Sequence, residues 1–126
     1  EKGLIFHDGE FDQIIDESVP IISHFKKHFN RDRPVEVDTT INTLPSKTNK
    51  TKSYPSGHAA QSRLIARYVA GKFPEHEREL IKAGDEGGYG RVKAGFHYPS
   101  DYEAGNLLGE KMYVFMNKAD YKKENE

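Results

Sequence analysis

The chain has 126 residues, no cysteine and a formal net charge of -1. One domain is expected at this length, and the lack of cysteine excludes disulfides, thiolate nucleophiles and cysteine-based metal sites. The near-neutral charge argues against general nucleic-acid binding, and no apolar run approaches the roughly 20 residues that span a bilayer. We therefore expect a soluble protein, with cytoplasmic, periplasmic and secreted locations all left open.

The first half of the chain predicts two helices separated by a long loop. The first helix is predicted over residues 8–30, where apolar side chains recur every three or four positions, and Pro20 should kink or split it. Residues 35–54 show no sustained period and predict a loop of the kind that often serves as a lid or binding loop. The second helix is predicted over residues 56–71, with Gly71 as its C-terminal stop.

The third predicted helix covers residues 74–94 and begins at a proline, a favourable first-turn residue. Small residues and one arginine form a stripe along it at helical spacing: Gly84, Gly88, Arg91 and Gly95. This stripe fits either close packing against a neighbouring helix or the approach of a ligand, and the sequence favours neither.

The last predicted helix follows Pro99, where Ser100 and Glu103 have the spacing of a capping box. Its expected buried positions are Tyr102, Leu107, Leu108, Met112, Tyr113 and Phe115. The charged tail, residues 118–126, is expected to fray. No strand pattern competes with these helices, so the chain is predicted to form one all-α domain over residues 1–126, a compact helical bundle.

Cations, histidines and one carboxylate gather in three short clusters. The clusters are Lys26 with Arg33-Pro34, then Pro55-Ser56-Gly57-His58, then Arg91 with His97 and Asp101. A phosphate monoester carries two negative charges, and arginine binds phosphate through two parallel hydrogen bonds. Arg33, Arg91 and Lys26 are therefore candidate phosphate-binding residues. The proline after Arg33 favours extended backbone there, which places Arg33 just past the first helix.

The second cluster predicts an anion-binding helix N-terminus. Ser56 is a good N-cap, Gly57 lets an anion approach the main chain, and free N–H groups at a helix start bind anions readily. His58 then lies in the first turn, facing that anion. A helix N-terminus lowers the pKa of a histidine whereas a bound phosphate raises it, so the sequence leaves both charge states of His58 open.

The third cluster predicts a nucleophile. His97 and Asp101 are four residues apart, but Pro99 argues against one helix through both, so His97 should end a loop and Asp101 open the next helix. A carboxylate that accepts a hydrogen bond from one imidazole nitrogen leaves the other nitrogen unprotonated and nucleophilic. His58 has no carboxylate nearby in the sequence and is the better candidate for the general acid.

In this order the three clusters resemble the signature of the type 2 phosphatidic acid phosphatase (PAP2) superfamily. That superfamily includes soluble bacterial class A acid phosphatases, membrane lipid phosphatases and vanadium haloperoxidases, and the resemblance spans residues 26–101. It implies an all-helical core of the acid phosphatase and haloperoxidase type. It also implies that His97 is the phosphorylated nucleophile, His58 the acid and Asp101 the residue that orients His97. The residues it implies for phosphate binding are Lys26, Arg33, Ser56, Gly57 and Arg91.

Two departures from the family pattern stand out. Gly90 precedes Arg91 where the family usually has serine, so one hydroxyl is missing. In addition, only 25 residues precede Lys26, where soluble members of the family usually carry longer N-terminal helical regions. A second subunit is one way to complete so lean a core, so a homodimer stays open.

The function expected from the resemblance is hydrolysis of small phosphate monoesters, with neither metal nor cofactor. The alternatives are a lipid phosphate or pyrophosphate phosphatase, a vanadate-dependent haloperoxidase, and a weakly active phosphate- or vanadate-binding protein. In the phosphatase, vanadate would act as an inhibitor.

Overall fold

The computed structural model describes residues 9–43 and 50–125, with side chains described as far as residue 117. Its α-helices are α1 (Glu10–Phe29), α2 (Pro34–Val37), α3 (Gly57–Lys72), α4 (Glu77–Lys93) and α5 (Pro99–Asn125), and a 3-10 turn, Pro74–His76, precedes α4. The described residues contain no strand, which confirms the predicted all-α class.

Helix α1 matches the predicted first helix closely. It ends where Asn30 adopts a left-handed conformation and donates its backbone N–H to the carbonyl of Lys26. Pro20 lies inside one continuous helix, so the expectation that it could split the helix is wrong. Residue 8, the predicted start, lies outside the described residues.

The predicted loop over residues 35–54 contains a short helix, so that prediction is wrong at its beginning. Pro34 occupies the first turn of α2, and Glu36 accepts a hydrogen bond from the backbone N–H of Arg33 at 3.2 Å. These two features close one helical turn directly after Arg33. The rest of the segment is irregular where it is described, and residues 44–49 lie outside the described part.

Helix α3 is central because α4 and α5 both pack closely against it. Glycines make this approach feasible: a Cβ built at Gly88 of α4 would lie 2.9 Å from the Cα of Ala59, and one at Gly105 of α5 would lie 2.5 Å from the carbonyl oxygen of Ser56. Gly84 also faces α3, so close helix packing explains that part of the stripe. Gly95 lies beyond α4 in a left-handed conformation.

The core is small, as the composition predicts. Its buried cluster joins Ile22 of α1, Ala60 and Leu64 of α3 and Met112 of α5. Leu107 and Phe115, which were expected to be buried, are 58% and 67% exposed. The reason is helical phase: Gly105 and Gly109 face α3, and Leu107 lies on another side of α5.

Two expected helix ends need correction. Helix α3 continues through Gly71 to Lys72, and Phe73 ends it because the next residue, Pro74, disfavours helical backbone before it. The capping box of Ser100 with Glu103 does not form, because α5 begins at Pro99.

The C-terminal end of α5 also differs from the expectation. Residues 118–125, which were expected to fray, continue α5, in keeping with their content of alanine, lysine and glutamate, while residue 126 lies outside the described part. Within the part of the chain that the structure describes, none of the helices has the length and apolar character to cross a membrane.

The close approach of α5 to α3 can be tested with Gly105→Ala. The added methyl would meet the carbonyl oxygen of Ser56 at 2.5 Å, so we expect a loss of about 1–3 kcal/mol in the free energy of unfolding. Gly90→Ala is the matched control, because a Cβ there meets nothing within 4 Å and alanine favours a helix by about 0.5–1 kcal/mol. Urea unfolding measures both changes, and equal stability of the two variants would refute this packing.

Candidate active site

The structure brings the three predicted clusters together in one place. Lys26 comes from the last turn of α1, Arg33 precedes α2, His58 lies in the first turn of α3, and Arg91 lies in the last turn of α4. Their mutual proximity shows in the pKa of His58, which is lowered by burial and then by the charges of Arg91, His97, Arg33 and Lys26. The predicted site residues therefore share one electrostatic environment.

Asp101 holds His97 in place. His97 is 3% exposed and Asp101 is 0% exposed, and Nδ1 of His97 lies 3.3 Å from Oδ2 of Asp101. As predicted, His97 ends the loop after α4 and Asp101 lies in the first turn of α5. The same Oδ2 accepts the backbone N–H of Tyr98 at 2.8 Å, so the side chain of the third residue of α5 reaches back to the residue before the helix, in place of the predicted contact of Glu103 with Ser100.

The second nitrogen of His97 is in the form that a nucleophile requires. Nε2 lies 3.3 Å from NH1 of Arg33. A guanidinium can only donate hydrogen bonds, so Nε2 accepts and carries no proton. The proton then resides on Nδ1, facing the carboxylate of Asp101.

Three consecutive residues that the sequence did not identify form hydrogen bonds with the predicted site residues. We call residues 51–53 the strap. The carbonyl oxygen of Lys52 accepts Nζ of Lys26 at 2.6 Å, and the carbonyl oxygen of Thr51 accepts Nε of Arg33 at 2.8 Å. Ser53 donates its hydroxyl to Oδ2 of Asp101. Backbone carbonyls give no residue-type signal, so only the predicted binding role of residues 35–54 pointed to this segment.

The N-terminus of α3 lies where the sequence predicted a helix start. Ser56 is its N-cap, and the hydroxyl oxygen of Ser56 accepts the backbone N–H of Ala59 at 3.2 Å. As an acceptor in that bond, the hydroxyl keeps its own proton for donation. Gly57 lies beside Lys26, whose Cε is 3.8 Å from the position a Cβ on Gly57 would take. The helix start and the lysine thus face the same space.

Positive charge exceeds negative charge inside the site. Burial and the neighbouring charge of Arg33 lower the pKa of Lys26 to about 8, although Asp101 opposes the shift. Burial and Arg91 likewise lower the pKa of Arg33. One buried carboxylate does not balance three cations, so a bound anion would relieve their repulsion.

The two histidines are both poised to be neutral. Burial and the surrounding cations lower the pKa of His58 to about 4. Burial also lowers the pKa of His97, although its hydrogen bond to Asp101 opposes the shift. Both imidazoles are therefore uncharged at neutral pH, which suits His97 as a nucleophile but leaves His58 without a proton in the unliganded site.

Two concavities each include one or two of the predicted site residues. A cavity of about 390 Å³ is lined by Lys26, Gly57 and two strap residues. A groove of about 450 Å³ between α1, α3 and α4 includes His58 and otherwise mostly apolar side chains.

The chain is also similar to known proteins along most of its length. The family model described as the PAP2 superfamily matches residues 17–124. A non-specific acid phosphatase from Salmonella typhi is 39% identical over 87 residues, which are 67% of this chain and 35% of that protein. An acid phosphatase from Zymomonas mobilis is 30% identical over 109 residues, 83% of this chain and 41% of that protein. The chain thus spans well under half the length of these relatives.

The fold also matches a solved structure, the crystal structure of the first transmembrane PAP2 type phosphatidylglycerolphosphate phosphatase from Bacillus subtilis. The TM-score is 0.63 at 21% sequence identity, and the match covers 89% of this chain and 58% of that one. At this identity the likeness concerns the fold. The family match over residues 17–124 shows that the chain belongs to the PAP2 superfamily.

The charge state of His58 can be measured by NMR titration of its imidazole. We expect a midpoint near pH 4 in the free protein, and a higher midpoint with inorganic phosphate because the anion offsets the surrounding cations. In Arg91→Gln the midpoint of the free protein should also rise, since the largest single neighbouring charge is removed. A midpoint near the ordinary value of about 6.5 in the free wild type would contradict this account.

Proposed function

We propose that the protein hydrolyses small phosphate monoesters through a phosphohistidine at His97, with neither metal nor cofactor. The observation that carries the proposal is that NH1 of Arg33 lies 3.3 Å from Nε2 of His97, and that His58, in the first turn of α3, is close enough to three cations and to His97 for their charges to lower its pKa. Family membership and the acid phosphatase relatives support the same reaction class.

Binding places the phosphoryl group between the cations and the α3 N-terminus. Arg33 and Arg91 offer planar donors that match phosphate oxygens, and Lys26 adds a compact charge. Ser56 and the amide of Gly57 donate from the other side. Because the strap already fixes Lys26 and Arg33, these two cations stabilise charge on the equatorial oxygens without reorganising.

In the first chemical step, Nε2 of His97 attacks phosphorus and the bond from phosphorus to the ester oxygen breaks. Asp101 keeps the Nδ1 proton in place and offsets the positive charge that develops on the ring. His58 donates a proton to the departing oxygen, and the alcohol leaves. The bound dianion is what raises the pKa of His58 enough for it to hold that proton.

The second step returns the enzyme to its starting form. A water molecule gives its proton to the now neutral His58 while its oxygen attacks phosphorus, and the bond to Nε2 of His97 breaks. Inorganic phosphate is released, and because departure of the anion lowers the pKa of His58 again, His58 gives the proton it took from water to the solvent. Vanadate, which adopts a five-coordinate geometry like that of phosphorus in the transition state, would inhibit this cycle by binding in the same place.

The proposal is tested by turnover of an aryl phosphate in the wild type and in His97→Ala. We expect His97→Ala to lose at least roughly 10³-fold in kcat, because no other group can form the covalent intermediate. A reaction of the wild type that is quenched with alkaline denaturant, because the P–N bond is labile to acid, should contain phosphohistidine at residue 97, identified by mass spectrometry. His76→Ala, which changes an exposed histidine at the start of α4, is the matched control and should retain full activity.

Other results would point to the alternative functions. A wild type that binds phosphate without turnover would be a binding protein, not an enzyme. Bromide oxidation with peroxide that depends on added vanadate would indicate a haloperoxidase. Turnover of lipid phosphates in preference to small esters would indicate a lipid phosphatase.

A further inference from the structure

The carboxylate of Asp101 is bound through both of its oxygens, and only one of them faces His97. Oδ2 accepts hydrogen bonds from Ser53 and from the backbone N–H of Tyr98, and it faces Nδ1 of His97. Oδ1 accepts NH1 of Arg31 at 2.8 Å. Arg31 therefore binds the carboxylate through the oxygen that does not face the histidine.

Arg31 is itself fixed by several independent contacts. Its NH1 also donates to the hydroxyl of Ser100 at 2.7 Å, and its guanidinium carbon lies 4.5 Å from the centre of the Tyr54 ring. Its backbone carbonyl accepts the N–H of Ser53 at 2.8 Å, so the same residue also anchors the strap. Holding a long side chain in one conformation costs conformational entropy. The several contacts of Arg31 together offset that cost.

The charged groups that face Asp101 are of three kinds. Lys26 and Arg33 interact with Asp101 electrostatically, but they also belong to the oxyanion site and would bind the phosphoryl group. His97 changes its charge during the reaction. Arg31 alone among these groups makes a direct ion pair with Asp101 on the side away from His97.

We propose that Arg31 is a positioning residue for the reaction at His97: it fixes the orientation and the ionised state of Asp101. The inference rests on the proposed function. Arg31 touches no reacting atom and acts through the carboxylate. Without it, Asp101 would lose the partner of Oδ1 and would be freer to take up a proton or to rotate away from Nδ1 of His97.

The test compares Arg31→Gln, which removes the charge, with Arg31→Lys, which keeps it. In Arg31→Gln we expect kcat to fall on the order of 10- to 100-fold, as is common when a reacting group loses its alignment. The acid limb of the kcat profile should move up by about one pH unit, since loss of the cation raises the pKa of Asp101 and of His97. The inhibition constant of inorganic phosphate should stay within about twofold.

Arg31→Lys should bring the acid limb back to the wild-type position, because charge is restored beside Oδ1. Ser100→Ala, which removes a partner of Arg31 on the surface, should move the acid limb in the same direction as Arg31→Gln but less far. Arg78→Gln is the control for loss of one surface charge on α4 and should leave the profile unchanged. An unshifted acid limb in Arg31→Gln, or equal loss of activity in the Gln and Lys variants, would overturn the proposal.

A readout without turnover separates this inference from the proposed function. The carboxyl carbon of Asp101, followed by NMR in labelled protein, should titrate at higher pH in Arg31→Gln than in the wild type and in Arg31→Lys. If the wild type hydrolyses no phosphate ester, the proposed function fails, and the role of Arg31 is still decided by this titration. Identical Asp101 midpoints in all three proteins would refute it.

Discussion

The fully buried carboxylate of Asp101 is the interaction on which the rest of the site depends. Its side chain joins the connection after α1 through Arg31, the strap through Ser53, and the loop before α5 through His97. Its backbone carbonyl accepts the N–H of Ser56, the N-cap residue of α3. A buried carboxylate with several hydrogen-bond donors costs less free energy than an unpaired one. Through its side chain and its backbone, Asp101 fixes four separate segments relative to one another.

The surrounding cations determine which charge states the site favours. Lys26 and Arg33 are buried, and Arg91 adds a third positive charge, so the unliganded site destabilises protonation of every basic group within it. A phosphoryl dianion reverses this imbalance. In the proposed mechanism, substrate binding and protonation of His58 are therefore coupled: the free site keeps His58 unprotonated, and the bound anion would raise its pKa so that it can hold a proton.

Some features of the fold and the site could be predicted from the sequence, and others could not, depending on the kind of interaction. Helical periodicity located α1, α3, α4 and α5, and charged residue types at motif spacing identified the side chains that converge. Backbone carbonyls were invisible to this reasoning, so the contacts of Thr51 and Lys52 with the cations could not be predicted. Arg31 was missed because its proposed role depends on its contact with Asp101, which lies 70 residues away in the chain. Leu107 was assigned to the core by hydrophobicity, but the glycines of α5 decide which face meets α3.

The most direct test of the account is a crystal structure of the protein with orthovanadate. We expect vanadium bonded to Nε2 of His97, equatorial oxygens bound by Lys26, Arg33 and Arg91, and the apical oxygen opposite His97 within hydrogen-bond distance of His58. That arrangement would show one histidine attacking and the other serving the leaving group. Vanadate bound away from His97, or bound between the cations with His97 still hydrogen-bonded to Arg33 alone, would contradict the assignment of His97 as the nucleophile.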